Sequence, residues 1–223
     1  GESLEDTIRV AASYSDVIVL RHTEQESSER VVNLIDKPLI NAGDGKGQHP
    51  TQALLDMYTI YREFGRVDNL HIALVGDLAN GRTVRSLAYL CPKFDSIRLT
   101  FVSPPHLRIG EDIKSHLDEH ALVYDEEDDL TSVLSRVDIV YMTRIQKERM
   151  NLEDYERARG KYIIDDHTLS CIKKNARILH PLPHVEEIQL SLHTEQTDKR
   201  VAYFRQAENG LYIRMALLHH LLV

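Results

Sequence analysis

From Leu70 onward the chain alternates short β-branched runs with amphipathic segments, and this alternation constrains the fold more than any other feature. LHIALVGD is followed by GRTVRSLAYL, IRLTFVSP by IGEDIKSHLDEH, and ALVYD by DDLTSVLSRV. DIVYMTR then precedes NLEDYERARG, KYIID precedes HTLSCIKK, and RILHPLP closes the series. The pattern predicts an α/β fold, a doubly wound parallel sheet with about five strands between Leu70 and Pro183. Such sheets bind ligands at the carboxyl ends of their strands. Three of those ends carry unusual polar residues: VGDLANGRT, YMTRIQKER and HPLPH.

Ahead of Leu70, SLEDTIRVAASY and SERVVNLID read as helices, and DVIVLRH and PLINAGD as strands. HPTQALLDMYTIYREFG starts a long amphipathic helix with Pro50 in its favoured first turn, placed as a bridge between two domains. The final RQAENGLYIRMALLHHLLV is helical, with Asn209 and Gly210 as the expected break.

At 223 residues and 42% hydrophobic content, the chain has enough apolar surface for a sizeable core. No stretch approaches the roughly 18 uninterrupted apolar residues of a membrane helix, and GESLEDT lacks the regions of a secretory signal, so a cytoplasmic protein is expected. Cys91 and Cys171 form no C-x-x-C pair, which predicts buried reduced thiols and neither a disulfide framework nor a thiolate zinc site. A net charge of −8 argues against broad nucleic-acid binding. An anionic small substrate would have to be held by a few arginines placed against the prevailing field.

VGDLANGRT lacks G-x-G-x-x-G, and no P-loop G-K-[ST] occurs, so nucleotide binding is disfavoured. Gly81 and Arg82 at a strand-to-helix turn could offer backbone donors and a guanidinium to a carboxylate, although a plain turn with a surface Arg is the commoner arrangement. His180 and His184 have the spacing of a helical metal pair, but Pro181 and Pro183 forbid that helix. The prolines make a rigid loop whose carbonyls are free to accept hydrogen bonds, or simply a stiff connection after a buried strand. Arg144, Gln146, Lys147 and Arg149 crowd one strand end, as a solvated charge cluster or as an anion site. His49 and Gln52 open the bridging helix, where neutral side chains and the helix dipole can polarise a carbonyl oxygen.

Taken in order, VLRH, NAGDG-x-x-x-HPTQ, VGDL-x-x-GRT, YMTR-x-QKER, HPLP and YFRQAENG resemble the aspartate carbamoyltransferase family across essentially the whole chain. YMTR-x-QKER and HPLP are the specific elements, since ornithine carbamoyltransferases carry Cys in place of Pro181. YFRQAENGLYIRMALL looks especially like the versions within animal multifunctional pyrimidine proteins. The resemblance implies transfer of a carbamoyl group from carbamoyl phosphate to the α-amine of L-aspartate in pyrimidine biosynthesis, without cofactor or metal. It also implies a homotrimer with active sites at subunit interfaces, fused to or associated with other pathway enzymes in some members. By position, Arg21 and His49 match the residues on the carbonyl oxygen and Gln52 the one on the carbamoyl amide. Arg82 and Arg144, with Gln146 beside them, match the clamps on the aspartate carboxylates, for which a planar guanidinium suits better than Lys. Pro181 and Leu182 match residues whose backbone carbonyls receive the amino groups.

Two departures from the family pattern stand out. His184 occupies the place of an Arg that holds closed domains through an acidic partner, with Asp154 the expected counterpart here. The family's Ser-Thr-Arg-Thr phosphate loop, and the Ser and Lys that reach a neighbouring subunit's site, are expected upstream of Gly1, within about 80 to 90 residues of a family-length chain. The expected organisation is residues 1–51 as the second half of a carbamoyl-phosphate domain, 52–208 as the aspartate domain and 209–223 as a helix returning to the first. These residues alone are expected not to turn over. The rival reading is a non-catalytic paralogue or assembly subunit retaining the fold, against which the intact Arg21, His49, Gln52, Arg82, Arg144 and Gln146 count.

Overall fold

The computed structural model describes residues 1–223. Its first unit comprises helix α1 (Leu4–Ala12), strand β1 (Ile18–His22), helix α2 (Ser27–Val32) and strand β2 (Leu39–Asp44). Ser3 caps α1 by accepting from the Asp6 amide at 3.1 Å, which satisfies one of the orphan donors of the first turn. The two strands pair in parallel, Ile18 opposite Leu39, around a small core of Ile8, Ile18 and Val31.

Helix α3 (Pro50–Phe64) leads away from β2 and ends at Gly65, whose positive φ of 70° suits a left-handed cap. The remaining elements are β3 (His71–Val75), α4 (Arg82–Leu90), β4 (Arg98–Val102), α5 (Glu111–Glu119), β5 (Val123–Glu127), α6 (Thr131–Leu134), β6 (Ile139–Met142), α7 (Leu152–Ala158), α8 (Asp166–Cys171), β7 (Arg177–Leu179), α9 (Leu192–Thr197) and α10 (Tyr203–Leu222). Strands β3 to β7 form one parallel sheet in the order β5-β4-β3-β6-β7. Along β3, Ile72 and Leu74 face one apolar cluster while Ala73 and Val75 face another, so both surfaces of the sheet are covered. That is the doubly wound arrangement expected, with five strands.

Three expectations fail locally. KYIID is not a sheet strand: Ile164 makes a single parallel bridge to Ile188, and Tyr162 and Ile164 are buried from a loop. Asn209 and Gly210 do not break the last helix, which is continuous through α10. Both sit where α10 packs against α3; Asn209 donates to Thr59 Oγ1 at 3.0 Å, and a β-carbon on Gly210 would lie 3.3 Å from Leu55 Cδ2. Close helix approach outweighs the low helix propensity of these two residues. Of the two cysteines, Cys91 is buried as expected, but Cys171 is partly exposed at the end of α8.

No helix is long and apolar enough to cross a membrane.

Candidate active site

The strand order reverses between β3 and β6, and the chain leaves both strands there on their carboxyl ends. Gly76 follows β3 with φ at +118°, and a β-carbon on it would meet the Thr143 carbonyl oxygen at 2.4 Å, so glycine lets the two strand ends approach. A cavity of about 420 Å³ opens at this crevice. Arg21, His49, Gln52, Arg82, Arg144, Gln146, Pro181 and Leu182 all line it. The eight residues singled out in the sequence are therefore brought together from both sheets and the bridging helix.

Helices α3 and α4 both begin at this cavity, with His49 and Gly81 as their caps and no acidic residue in either first turn. Their positive dipole ends therefore add to the field of the lining arginines. Those are Arg21, Arg82, Arg144, Arg149 and Arg214, opposed by the single lining carboxylate of Glu148. This concentration of cations in a chain of net charge −8 makes the cavity a local anion site.

Burial, followed by the charges of Arg82, Arg21 and Arg214, lowers the His49 pKa to about 4. The imidazole is thus neutral at physiological pH and can donate a hydrogen bond from its one ring N–H without the second proton of an imidazolium. Its backbone N–H donates to Ser86 Oγ at 2.8 Å, which ties the start of α3 to α4. Arg82 donates to the Gly45 carbonyl at 3.4 Å, and desolvation together with Arg21 and Arg149 lowers its pKa. Arg149 reaches the carbonyls of Asn80 at 2.8 Å and Gly45 at 3.3 Å, so it ties the loop that carries Arg82 to the loop after β2. Arg144 is held by Glu148 through both terminal nitrogens, one of them at 3.2 Å from Glu148 Oε2.

In the segment from His180 to Pro183, the Leu182 N–H donates to His180 Nδ1 at 2.8 Å. His180 therefore carries its proton on Nε2, which lies 2.9 Å from Glu187 Oε1. Leu182 sits at a positive φ of 55°, and the Leu182–Pro183 peptide is cis. The carbonyls of Pro181 and Leu182 accept no hydrogen bond within the chain. His184 lies 3.4 Å from Glu195 Oε1, not against Asp154, whose amide and carboxylate are engaged by Asn151. The shorter imidazole reaches the nearby α9 carboxylate, and Asp154 serves the first turn of α7.

Several lining residues escaped the sequence reading. Thr83, Thr143 and Glu148 are embedded in the quoted motifs without having been singled out, whereas Arg149 was read only as one of a charge cluster or anion site. Arg214 carried no signal, because only the packing of α10 on α3 brings it under His49, where it also lines a smaller apolar recess with Val19 and Leu217. His116, Glu119 and His120 form a group with ligand-type atoms within 4.8 Å of one another at the end of α5, outside this cavity.

Residues 1–62 match the family model described as the carbamoyl-P binding domain of aspartate/ornithine carbamoyltransferase. Residues 68–221 match the Asp/Orn binding domain of the same family. The chain is 55% identical to a chloroplastic aspartate carbamoyltransferase of Oryza sativa subsp. japonica, over all of this chain and 61% of that protein. It is 47% identical to the multifunctional protein CAD of Squalus acanthias, over 98% of this chain and 10% of that protein. Aspartate transcarbamoylase from Trypanosoma cruzi, solved in complex with N-(phosphonacetyl)-L-aspartic acid, superposes with a TM-score of 0.91 at 39% identity, covering all of this chain and 71% of that one. The chain spans about 60% of the length of the plant relatives it matches.

Proposed function

The chain belongs to the aspartate/ornithine carbamoyltransferase family, and we propose that the protein containing it transfers a carbamoyl group from carbamoyl phosphate to the α-amine of L-aspartate. The observation carrying this reading is the single cavity that gathers five guanidiniums, a neutral imidazole and two unpartnered backbone carbonyls. It offers cations for carboxylates and phosphate, donors for a developing oxyanion, and acceptors for amino groups.

In the proposed reaction the neutral amine of aspartate attacks the carbonyl carbon, forming the C–N bond and a tetrahedral oxyanion. Arg21 and the His49 ring N–H stabilise that oxyanion, which draws little on proton transfer and mainly on preorganised charge. The intermediate then collapses, the C–O bond to phosphate breaks, and the released phosphate takes up the proton shed by the amine. Gln52 accepts from the carbamoyl NH2, with the Pro181 and Leu182 carbonyls receiving the amino groups. Arg82 and Arg144 clamp the two carboxylates, and Gln146 adds a polar contact beside them. No step calls on a metal or an organic cofactor.

Residues 1–51, 52–208 and 209–223 are proposed as part of the carbamoyl-phosphate domain, the aspartate domain and a returning helix. The proposed assembly is a homotrimer with shared sites, and the likeness to the Squalus multifunctional protein supports association with other pyrimidine-pathway enzymes. A cytoplasmic location is proposed from the sequence; the plant relatives are named chloroplastic, and fractionation of the native protein distinguishes the two compartments. The test of function is an acceptor assay on the full-length protein. N-carbamoyl-L-aspartate is expected with aspartate, and citrulline formation with ornithine at equal or greater efficiency would overturn the assignment.

A further inference from the structure

Asp56 lies one helical turn beyond Gln52 on α3, and its carboxylate is fully buried with no cationic partner. Three donors from three elements converge on it. Gln52 Nε2 donates to Oδ1 at 2.9 Å, Gln206 Nε2 from α10 donates to the same oxygen at 2.6 Å, and the Tyr141 hydroxyl from β6 donates to Oδ2 at 2.8 Å. Gln52 and Gln206 are themselves buried, and Tyr141 is wholly so.

A carboxylate oxygen accepts and the NH2 of a side-chain amide donates, so this contact decides which way each glutamine points. Gln206 must turn its carbonyl oxygen away from Asp56, and that oxygen accepts the His180 backbone N–H at 2.8 Å. Gln52 must likewise turn its carbonyl oxygen away, and Gln52 lines the cavity. We propose that Asp56 is a positioning residue, holding Gln52 as a hydrogen-bond acceptor toward the ligand and, through Gln206, anchoring the 180–183 loop whose carbonyls accept beside it. The inference rests on the carbamoyl-transfer reading, in which the group received there is the carbamoyl NH2.

The chemistry of the hub favours this role over simple packing. Burying a carboxylate is costly, and an apolar side chain of similar size fills a core site without that cost. Burial raises the Asp56 pKa to about 7, so both protonation states are populated near neutrality. Protonation at Oδ2 reverses only the bond with Tyr141, whose hydroxyl both donates and accepts, and leaves Oδ1 accepting from both amides. The orientation of Gln52 is therefore the same in both states. Asparagine can reproduce the protonated form, with Oδ1 facing the amides and its NH2 facing Tyr141.

The test is steady-state kinetics of the full-length protein with Asp56→Asn, Asp56→Ala, Gln52→Ala and the Asp56→Ala/Gln52→Ala double variant. Asp56→Ala is expected to raise the KM for carbamoyl phosphate about tenfold or more, as expected when a ligand donor loses its oriented acceptor. Asp56→Asn is expected to stay within about threefold of the unmodified protein, and Asp56→Ala to have a smaller effect in the Gln52→Ala background than alone, what remains being its effect on the 180–183 loop through Gln206. Multiplying effects in the double variant, or an Asp56→Asn loss equal to that of Asp56→Ala, would overturn the role. Should Asp56→Ala fail to fold, Gln206→Met carries the test, with a raised carbamoyl-phosphate KM expected and an unchanged one overturning the proposal. Absence of product from the unmodified protein would overturn the transfer reading itself, whereas product formation with independent effects at 52 and 56 would overturn only the role of Asp56.

Discussion

Gly43 and Arg82 meet across the cleft so closely that a β-carbon on Gly43 would lie 2.8 Å from Arg82 Cζ. Gly43 is the penultimate residue of β2, at a φ of 115°, and Arg82 opens α4 beside the second sheet, so this contact joins the two units at the cavity.

Replacing Gly43 with Ala is therefore expected to push the Arg82 guanidinium from its place and to strain the backbone by on the order of 1–3 kcal/mol. The KM for aspartate should rise about tenfold, beyond the effect on protein stability measured by denaturant unfolding. An unchanged aspartate dependence in a folded variant would remove Arg82 from the proposed clamp.

Arg144→Ala is expected to lower kcat/KM for aspartate by about ten- to a hundredfold, the cost of losing a charge-assisted bond worth about 1.5–3 kcal/mol. Saturation curves at fixed carbamoyl phosphate check this. Retention of the normal aspartate dependence would contradict the assigned role.

The His49 ring is expected to stay neutral across the physiological range and to titrate with a midpoint near about 4, observable as its histidine ring signals in NMR. Because the unfolded chain protonates this residue near 6.5, it binds the extra proton between those values, and stability is lost as pH falls through that window. His49→Ala should cost about a hundredfold in kcat, as for loss of one oxyanion donor.

Asp56 has the opposite sign. Its folded pKa of about 7 lies above the ordinary 3.8, so its proton-linked contribution is complete below 3.8 and is lost as pH rises through 7. Asp56→Asn does not titrate, and its stability relative to the unmodified protein should improve by on the order of 2 kcal/mol between pH 5 and pH 8. Chemical denaturation at the two pH values checks the direction, and a relative loss at pH 8 would contradict it.

Of the eight cavity residues, Arg21 comes only from the family resemblance, while the other seven stand in motifs at strand or helix ends. The parallel sheet could be read from local patterns, because β-branched runs are short-range signals. KYIID carried the same local signal, yet only Ile164 finds a bridging partner, in the 186–189 loop and not in the sheet. Asn209 and Gly210 were read as breakers because propensity is local, whereas the reason for them is α3 lying against α10. Asp56 was invisible for the same reason. Its partners Tyr141 and Gln206 are 85 and 150 residues away in the chain, and only the closed fold makes a lone carboxylate in an apolar helix face intelligible.

The most direct measurement is calorimetric titration of the full-length protein with N-(phosphonacetyl)-L-aspartic acid, a molecule carrying both a phosphonate and the two aspartate carboxylates. One cavity per chain serving both substrates predicts one molecule bound per chain, with affinity weakened about tenfold or more by Arg21→Ala and likewise by Arg144→Ala. Binding that is absent, or that is indifferent to both substitutions, would contradict the account.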